Sequence, residues 1–247
     1  MITENMSQNW ERTDSNVYKI TKNITIGVNE TLIIESGDVL LFGENVHILC
    51  MEGKIIAKGT ENKPIVFDAV DKKKGWGGIF LDNSSKSRFF NCRFLNIKEP
   101  KVGSKFGGVS LIRSYAHFKN SIFENIKMSN GALYIYGGSA KIENCIFNSN
   151  SSGGAIRLSS AYRTIFKNCE IKNNKAAYGG GVSISDESFG DFTNCNITNN
   201  RAKYEGGGIY CEGMSSIKLL NCNVLENKPD NIKFNQAHIV SLNGSNY

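Results

Sequence analysis

Three carboxylates and one guanidinium form the set of side chains in this sequence best suited to chemistry on a substrate. Asp186 and Glu187 follow one short apolar stretch, Glu212 ends the next such stretch, and Arg157 lies in the one before. Paired carboxylates, or carboxylates beside a basic residue, are what an enzyme acting on polysaccharides requires. Solvated turns contain the same residue types, so the sequence leaves a catalytic set and a plain surface turn both open.

Cysteine is the other residue type with chemical potential, and its spacing argues against a metal site. Five of the seven cysteines occupy one position of a six-copy repeat, and a serine occupies it in the remaining copy: Cys92, Ser121, Cys145, Cys169, Cys195 and Cys222. A tetrahedral metal site needs ligands that converge on one point, whereas one cysteine per repeat forms a line. We therefore expect reduced, buried thiols, with no metal and no cofactor.

Composition and charge limit the classes of protein to which this chain can belong. The chain has 247 residues, of which 40% are hydrophobic and 21% charged, with 25 glycines and a formal net charge of +6. These values are ordinary for a globular protein. Lysine and arginine are scattered along the chain, without the basic stripe typical of nucleic-acid-binding proteins, so we expect no nucleic-acid partner. An acidic glycan remains compatible with the charge, and no apolar run is long enough to predict a transmembrane segment.

A repeat organises most of the chain. Copies of an Asn-led segment such as "NCEIKNN" begin at Asn91, Asn120, Asn144, Asn168, Asn194 and Asn221, with a mean spacing of 26 residues. A Gly-led apolar stretch precedes each copy, and its first apolar residue lies 11 or 12 residues before the asparagine: Ile79, Val109, Leu133, Ile156, Val182 and Ile209. Apolar residues alternate with others within each stretch, which predicts strands with one buried face.

Short strands of this kind bury their apolar face only by stacking on equivalent strands of the next repeat. The sequence therefore predicts an all-β fold, a single right-handed parallel β-helix of about eight to nine coils. We expect one domain over residues 1–247, with an N-terminal cap at 1–30, coils at 31–227, and partial coils or a cap at 228–247. The Asn row should bond from coil to coil at a bend, and the Gly pairs should turn the chain with positive φ.

The outward position of the Gly-led strand provides candidate ligand-binding residues. Its members, one from each repeat, are Phe80, Ser110, Tyr134, Arg157, Ser183 and Tyr210. Tyrosines on a flat sheet are suited to stacking on sugar rings or to protein contacts, although aromatic residues are also simply good strand formers. From this row we select Phe80, Tyr134, Arg157 and Tyr210 as candidates for binding a ligand.

Several segments resemble known protein families. "GGAI" at residues 153–156 beside "FNSN" at residues 147–150 resembles the paired tetrapeptides of polymorphic outer-membrane proteins, and "NNRAKYEGGGIY" matches a looser form of that repeat. The stretch "GKIIAKGTENKPIVF" followed by "WGGIFL", within residues 53–81, is similar to the pectate-lyase-like superfamily. The resemblance implies a right-handed β-helix. It does not select a function, because that superfamily includes lyases, glycosidases, phage spikes and non-catalytic adhesins.

The interpretation favoured by these observations is a non-catalytic, adhesin-like β-helix that presents a flat face to a glycan or a surface protein. The first alternative is a polysaccharide lyase or glycoside hydrolase that acts on an acidic polysaccharide through Asp186, Glu187, Glu212 and Arg157. The second alternative is a structural spacer. The resemblance implies a secreted or cell-surface protein, whereas the first residues lack the layout of a signal peptide, and a cytoplasmic location stays open.

Overall fold

The computed structural model describes residues 10–100 and 106–247. Strands account for 58% of the structure, wound as a parallel solenoid of about eight turns, and no described residue is helical. Each coil contributes one strand to each of three long sheets, so equivalent positions of successive coils become neighbours. The right-handed parallel β-helix predicted from the sequence is thereby confirmed.

The strands are numbered in chain order. The first sheet contains β1 (Trp10–Asp14), β2 (Val17–Ile20), β5 (Val39–Phe42), β8 (Ile65–Ala69), β11 (Cys92–Leu95), β14 (Ile122–Glu124), β18 (Ile146–Asn148), β22 (Glu170–Lys172), β26 (Asn196–Thr198) and β30 (Asn223–Leu225). The second contains β3 (Ile24–Ile26), β6 (His47–Met51), β9 (Gly78–Asp82), β12 (Val109–Ile112), β16 (Leu133–Tyr136), β20 (Ile156–Ser159), β24 (Val182–Ser185), β28 (Ile209–Glu212) and β31 (Ile232–Asn235). The third contains β4 (Thr31–Ile34), β7 (Lys54–Lys58), β10 (Ser85–Phe90), β13 (Tyr115–Lys119), β17 (Ser139–Glu143), β21 (Thr164–Lys167), β25 (Phe189–Thr193), β29 (Ser216–Leu220) and β32 (His238–Ser241). Two short pairs, β15 (Lys127–Met128) with β19 (Ser151–Ser152) and β23 (Lys175–Tyr178) with β27 (Arg201–Glu205), lie between the first and second sheets in the chain order.

The core consists of inward side chains that stack on their equivalents in the next coil. In the first sheet the rings of Phe67, Phe94, Phe123 and Phe147 form a continuous stack, with centroid separations of 5.1, 4.7 and 4.5 Å. All four are fully buried. Large aromatic rings bury more apolar area than other side chains, and offset stacking adds to that gain, so the stack stabilises each coil through its neighbours.

The two rows expected at the start of the first-sheet strands are present. The turn asparagines have left-handed backbones, with φ near 50°, and side-chain amides bond from coil to coil; Asn144, for example, donates to Asn120 at 3.0 Å. The bonded run extends from Asn91 to Asn194. The side chain that follows each asparagine, a cysteine in five coils and Ser121 in the other, is buried, as the sequence predicts. All seven cysteines are buried and free.

A second asparagine row lies inside the solenoid and was not distinguished in the sequence. Its members are Asn150, Asn174, Asn200 and Asn227, and each is no more than 6% exposed. The Oδ1 atom of each accepts the backbone N–H of its equivalent in the preceding coil, at 2.9 or 3.0 Å. Buried amides require such partners, and the repeat provides them by placing an asparagine at the same point of four successive coils.

Glycines are required for two separate reasons. Gly154 and Gly179 have positive φ, 80° and 61°, as expected from the sequence. Gly181 does not, yet a Cβ at this position would lie 2.6 Å from the carbonyl oxygen of Gly208 on the next coil. The expectation of positive φ is therefore wrong for Gly181, where close approach of two backbones excludes a side chain.

The N-terminal end of the solenoid differs in detail from the predicted boundary. Strands β2 and β3 already pair in parallel with β5 and β6, so coiling begins at Val17 and not after residue 30. The reason is a period-two apolar pattern in this segment, which buries Ile20, Ile24 and Ile26. Among the strand pairs of the described residues, β1 with β2 is the one antiparallel pair, and residues 1–9 of the predicted cap lie outside the described residues. At the other end, β31 and β32 extend the second and third sheets.

Candidate functional site

The second sheet aligns the candidate ligand-binding residues in one outward row. Backbone pairing runs in unbroken order through Phe80, Ser110, Tyr134, Arg157, Ser183 and Tyr210. Neighbours in such a row are about 4.8 Å apart. The strand alternation deduced from the sequence therefore places these side chains on the outer face.

The outer face is not uniformly open, which corrects the expectation of a flat exposed surface. Phe80 is only 7% exposed and Tyr210 only 5%. Phe80 is covered by the rings of Phe106 and His47, with centroids 4.5 and 5.5 Å away, and Tyr210 packs 5.1 Å from the ring of Tyr178. Phe80 and Tyr210 therefore pack against other side chains of the protein and are almost inaccessible to a ligand. Tyr134 and Arg157 are half-buried.

The middle of the row forms the floor of a groove. The short strands β19 and β23 border it on one side, and a hollow of about 320 Å³ is lined by Ser129, Ser152, Gly153, Arg157, Ala176, Ala177, Tyr178, Ser183, Tyr210 and Glu212. Ser183 lies between Arg157 and Tyr210 in the row. Because a serine side chain is short, the surface of the groove is deepest at Ser183, and the longer side chains of Arg157 and Tyr210 project on either side of it.

Arg157 is the polar residue of the groove with an unmet hydrogen-bonding need. Its Nε atom is buried and makes no hydrogen bond with any described residue. A guanidinium presents five donors in a fixed planar arrangement, and a buried donor without an acceptor is costly. Its charge also acts on Asp186, since it contributes to a pKa below the usual value of that carboxyl.

The carboxylates predicted to act together are only partly brought together. The hydroxyls of Ser159 and Ser185 donate to Oδ2 of Asp186, and these bonds are the main reason that the pKa of Asp186 is lowered. Glu212 lines the groove with Arg157 and accepts a hydrogen bond from the Tyr210 hydroxyl at 3.1 Å.

Glu187 does not line this groove. Together with Asp186 it borders a separate hollow, whose other lining residues include Tyr162 and Arg163. The groove therefore contains Arg157 and Glu212, whereas Asp186 and Glu187 line the neighbouring hollow.

Tyrosines lie in the groove and beside it: Tyr178 and Tyr210 line the hollow, and Tyr134 is the neighbour of Arg157 in the row. Tyr134 and Tyr136 alternate along β16 and their ring centroids are 6.4 Å apart. The rings of Tyr178 on β23 and Tyr204 on β27 are tilted against each other, with centroids 5.1 Å apart, and both residues are exposed. Tyr178 and Tyr204 are not among the residues predicted from the sequence, although "KAAYGGG" and "KYEGGG" show a tyrosine just before the glycines in two successive repeats.

Within residues 10–100 and 106–247, no group of three or more His, Cys, Asp and Glu side chains is arranged to hold a metal ion. No helix in the same residues is long and apolar enough to cross a membrane. His117 instead pairs with Glu143, with 2.8 Å between Nε2 and Oε2.

Solved structures resemble this chain at low similarity. A Geobacillus virus E2 protein, ORF18, is 13% identical over 96% of this chain, with a TM-score of 0.33, and the match spans 55% of the viral chain. A trypsin-treated variant of QnrB1, a plasmid-mediated fluoroquinolone resistance protein, is 12% identical over 85% of this chain and 91% of its own, with a TM-score of 0.21. No curated protein matches the sequence.

One family model matches almost the whole chain. The model described as "right handed beta helix region" matches residues 2–156 and, in a second match, residues 131–247. The two matches together extend over almost the whole chain, and they agree with the parallel pairing of the three long sheets. This chain belongs to the right-handed beta helix family.

Proposed function

We propose that this protein is a non-catalytic, secreted or surface-exposed β-helix that binds an extended glycan in the groove at Arg157. The observation that carries the proposal is the buried Nε of Arg157, which has no described hydrogen-bond partner and lies in a groove bordered by tyrosines. A ligand oxygen at this point would satisfy that donor. The proposal replaces the flat face expected from the sequence by a narrower groove.

The groove is long enough to hold several units of an extended ligand. Tyr134 and Tyr210 are three coil steps apart in the row, which corresponds to about 14 Å. Tyr136 stands near one end of this interval and Tyr178 near the other, and both expose a large part of their rings. Sugar rings stack on such faces with a gain of the order found for other aromatic contacts, so a linear glycan would meet a platform at each end.

The polar groups between the platforms suit hydroxyl-rich ligands. Glu212 accepts hydrogen bonds, Arg157 donates them, and Ser183 does either. Arg157 and Glu212 carry opposite charges within one hollow. A ligand hydroxyl can accept from the guanidinium and donate to the carboxylate, so the pair favours a ligand with several hydroxyl groups. Such mixed aromatic and polar lining is typical of small-molecule and sugar sites.

Two features support binding without cleavage. The hydrogen bonds from Ser159 and Ser185 lower the pKa of Asp186, which favours its charged form, whereas a general acid needs a raised pKa. Glu187 borders the neighbouring hollow and is not in the groove. Both features reduce the set of carboxylates available to an enzyme at this site.

The test is a panel of neutral and acidic polysaccharides, scored by calorimetry for binding and by chemical assay for new reducing ends or unsaturated products. We expect binding without product. Tyr178→Ala and Arg157→Gln should each weaken binding about tenfold, while Tyr162→Ala, an exposed tyrosine outside the groove, should leave it unchanged. Product that disappears in Glu212→Gln would establish the enzyme alternative instead.

Location and partner class are tested separately. A secreted or surface protein should be found in the medium or be released from intact cells by protease. If no glycan binds and cross-linking at Tyr204 captures a surface protein, the groove is a protein-binding site. If neither binds, and Tyr178→Ala and Arg157→Gln have no effect on function in cells, the protein is a spacer.

A further inference from the structure

A basic residue follows the inner asparagine or isoleucine in most coils. The six equivalent positions are Lys98, Lys127, Ser151, Lys175, Arg201 and Lys228, of which five are basic. They are 24 to 29 residues apart in the chain, so the sequence contains no basic run, and lysine and arginine were judged to be scattered. We refer to these six positions as the basic row.

Backbone hydrogen bonds show that the basic row is a continuous line. The amide of Lys127 donates to Ile97 at 2.8 Å, and the amide of Lys228 donates to Asn200 at 2.9 Å. Ser151, Lys175 and Arg201 make the equivalent bond, each at 2.8 Å, to the coil before. Because the pattern is the same at every step, neighbours are about 4.8 Å apart, and Lys127 and Lys228 are separated by about 19 Å.

Four of the five cations of the basic row have no partner for their charge among the described residues, whereas the Lys98 ammonium donates a hydrogen bond to the carbonyl oxygen of Lys73 at 2.5 Å. Lys127, Lys175, Arg201 and Lys228 are exposed, and none forms an ion pair with a described residue. Carboxylates near Lys175, Arg201 and Lys228 have other partners: Glu170 pairs with Lys172, Glu205 pairs with Lys233, and Glu226 accepts from Asn199. Glu44 and Glu99 line a hollow with Lys127, where Glu44 pairs with Lys74 and Glu99 accepts from Ser129. A line of unpaired cations in register is therefore directed to solvent.

The surroundings of the basic row differ from those of the glycan groove. A hollow along its middle is lined by Ser149, Asn150, Ser151, Asn173, Lys175, Asn199 and Arg201. This lining contains amides, hydroxyls and charges but no aromatic ring. It offers no platform for a sugar ring or a nucleobase, both of which favour stacking on aromatic side chains, whereas it suits compact oxyanions that accept several hydrogen bonds.

We propose that the basic row binds a linear phosphodiester polymer through successive phosphates. Lysine is a common phosphate ligand as a point charge, and arginine binds phosphate in a bidentate manner. Four exposed cations along a rigid line would engage about four phosphates, and the asparagines beside them would bind the oxygens between. This site is separate from the groove at Arg157, and its existence does not depend on the glycan proposal.

Salt dependence gives a quantitative signature. Each phosphate contact releases condensed counterions, so the logarithm of the binding constant falls linearly with the logarithm of salt concentration, by about 0.7 per contact for a single-stranded polymer. Three removed contacts should therefore make the slope shallower by about 2. A structural effect of the substitutions would not change the slope in this way.

The experiment uses a glycerol phosphodiester polymer as the probe, with binding measured from about 50 to 200 mM salt. The test variant combines Lys175→Gln, Arg201→Gln and Lys228→Gln. We expect it to lose most of the affinity and about 2 units of slope. An unchanged slope in this variant overturns the proposal.

The matched control combines Lys58→Gln, Lys119→Gln and Lys167→Gln. These lysines are exposed at the ends of third-sheet strands, and their replacement changes the net charge by the same amount. We expect the control to keep the slope of the unmodified protein. A loss as large as in the test variant would show that only net charge matters, and would overturn the proposal.

A gain-of-contact variant and two further probes complete the test. Ser151→Lys fills the gap in the basic row, and we expect tighter binding with a slope steeper by about 0.7. Duplex DNA serves as a second source of phosphodiesters; tighter binding of DNA than of the glycerol polymer, lost in the test variant, would identify nucleic acid as the source. Polygalacturonate, a carboxylate polymer, should bind more weakly, and equal binding through the same residues would overturn the phosphate assignment.

Discussion

The side-chain amide of Asn174 donates to Oδ1 of Asn200 at 2.9 Å inside the solenoid, where the two residues are almost fully buried. The same Oδ1 also accepts the backbone N–H of Asn174 at 3.0 Å. One asparagine therefore satisfies two donors of the preceding coil, and its own amide continues the row. This arrangement links the coils through polar groups as well as through the stacked apolar core.

The first prediction concerns this inner row. Asn174→Ala removes the acceptor of two Asn150 donors, and each buried donor left without a partner costs about 1–3 kcal/mol. We expect a loss of at least about 2 kcal/mol in the free energy of unfolding, measured by urea denaturation. Asn196→Ala, at an exposed strand position, is the control and should change stability by about 0.5 kcal/mol or less; equal losses would contradict the role of the inner row.

The second prediction tests the strand register. Ile156 is fully buried, and its neighbour Arg157 faces the groove. Ile156→Asp places an unpaired charge in the core and should cost several kcal/mol, whereas Arg157→Gln should cost far less. Thermal midpoints of the two variants provide the measurement. A larger loss for Arg157→Gln would mean that the register is shifted by one residue, which exchanges the two faces.

The third prediction concerns the buried thiols at high pH. Burial raises the pKa of Cys145 from about 9 to about 12. Since the folded state then holds its proton more tightly than the unfolded state, this contribution to stability is complete below pH 9 and is lost as pH rises toward 12. The loss from this group is at most about 1.4 kcal/mol per pH unit.

The comparison that isolates this effect uses neighbours in the same row. Cys145→Ser removes the titrating group, so its unfolding free energy should fall less steeply between pH 9 and pH 11 than that of the unmodified protein. Ser121→Ala changes a residue of the same row that does not titrate, and it should leave the pH dependence unaltered. Identical pH profiles for Cys145→Ser and the unmodified protein would refute the buried-thiol explanation.

The fourth prediction separates two reasons for glycine. Gly181→Ala would place a Cβ 2.6 Å from the Gly208 carbonyl oxygen, so a coil would have to shift. Gly213→Ala meets nothing closer than 3.5 Å, but its φ of 62° is left-handed, which costs about 1–2 kcal/mol for a residue with a side chain. We expect Gly181→Ala to be the more destabilising in urea, and the reverse order would show that backbone preference dominates at both positions.

The sequence by itself determined the periodic part of this protein. Strand alternation, the Gly-led stretches and the asparagine turns recur at fixed offsets, and side-chain direction in a strand is a local property with a period of two. For this reason the inward direction of Ile156, the buried thiols and the outward row from Phe80 to Tyr210 were all predicted from residue order. The N-terminal cap was predicted to extend too far along the chain, because the apolar pattern of residues 17–26 is short.

Only the tertiary structure decided which outward residues remain accessible. Phe106 covers Phe80 from the segment before β12, and Tyr178 covers Tyr210 from the short strand β23. Neither covering residue belongs to the Gly-led stretches whose alternation predicts the outward row, so that alternation does not predict the contact. The basic row has the same origin. Lys175 and Arg201 are 26 residues apart in the chain and become neighbours because parallel pairing places equivalent positions of successive coils side by side. Accessibility and charge alignment are long-range consequences of how the coils stack, and a local pattern of residue types does not contain them.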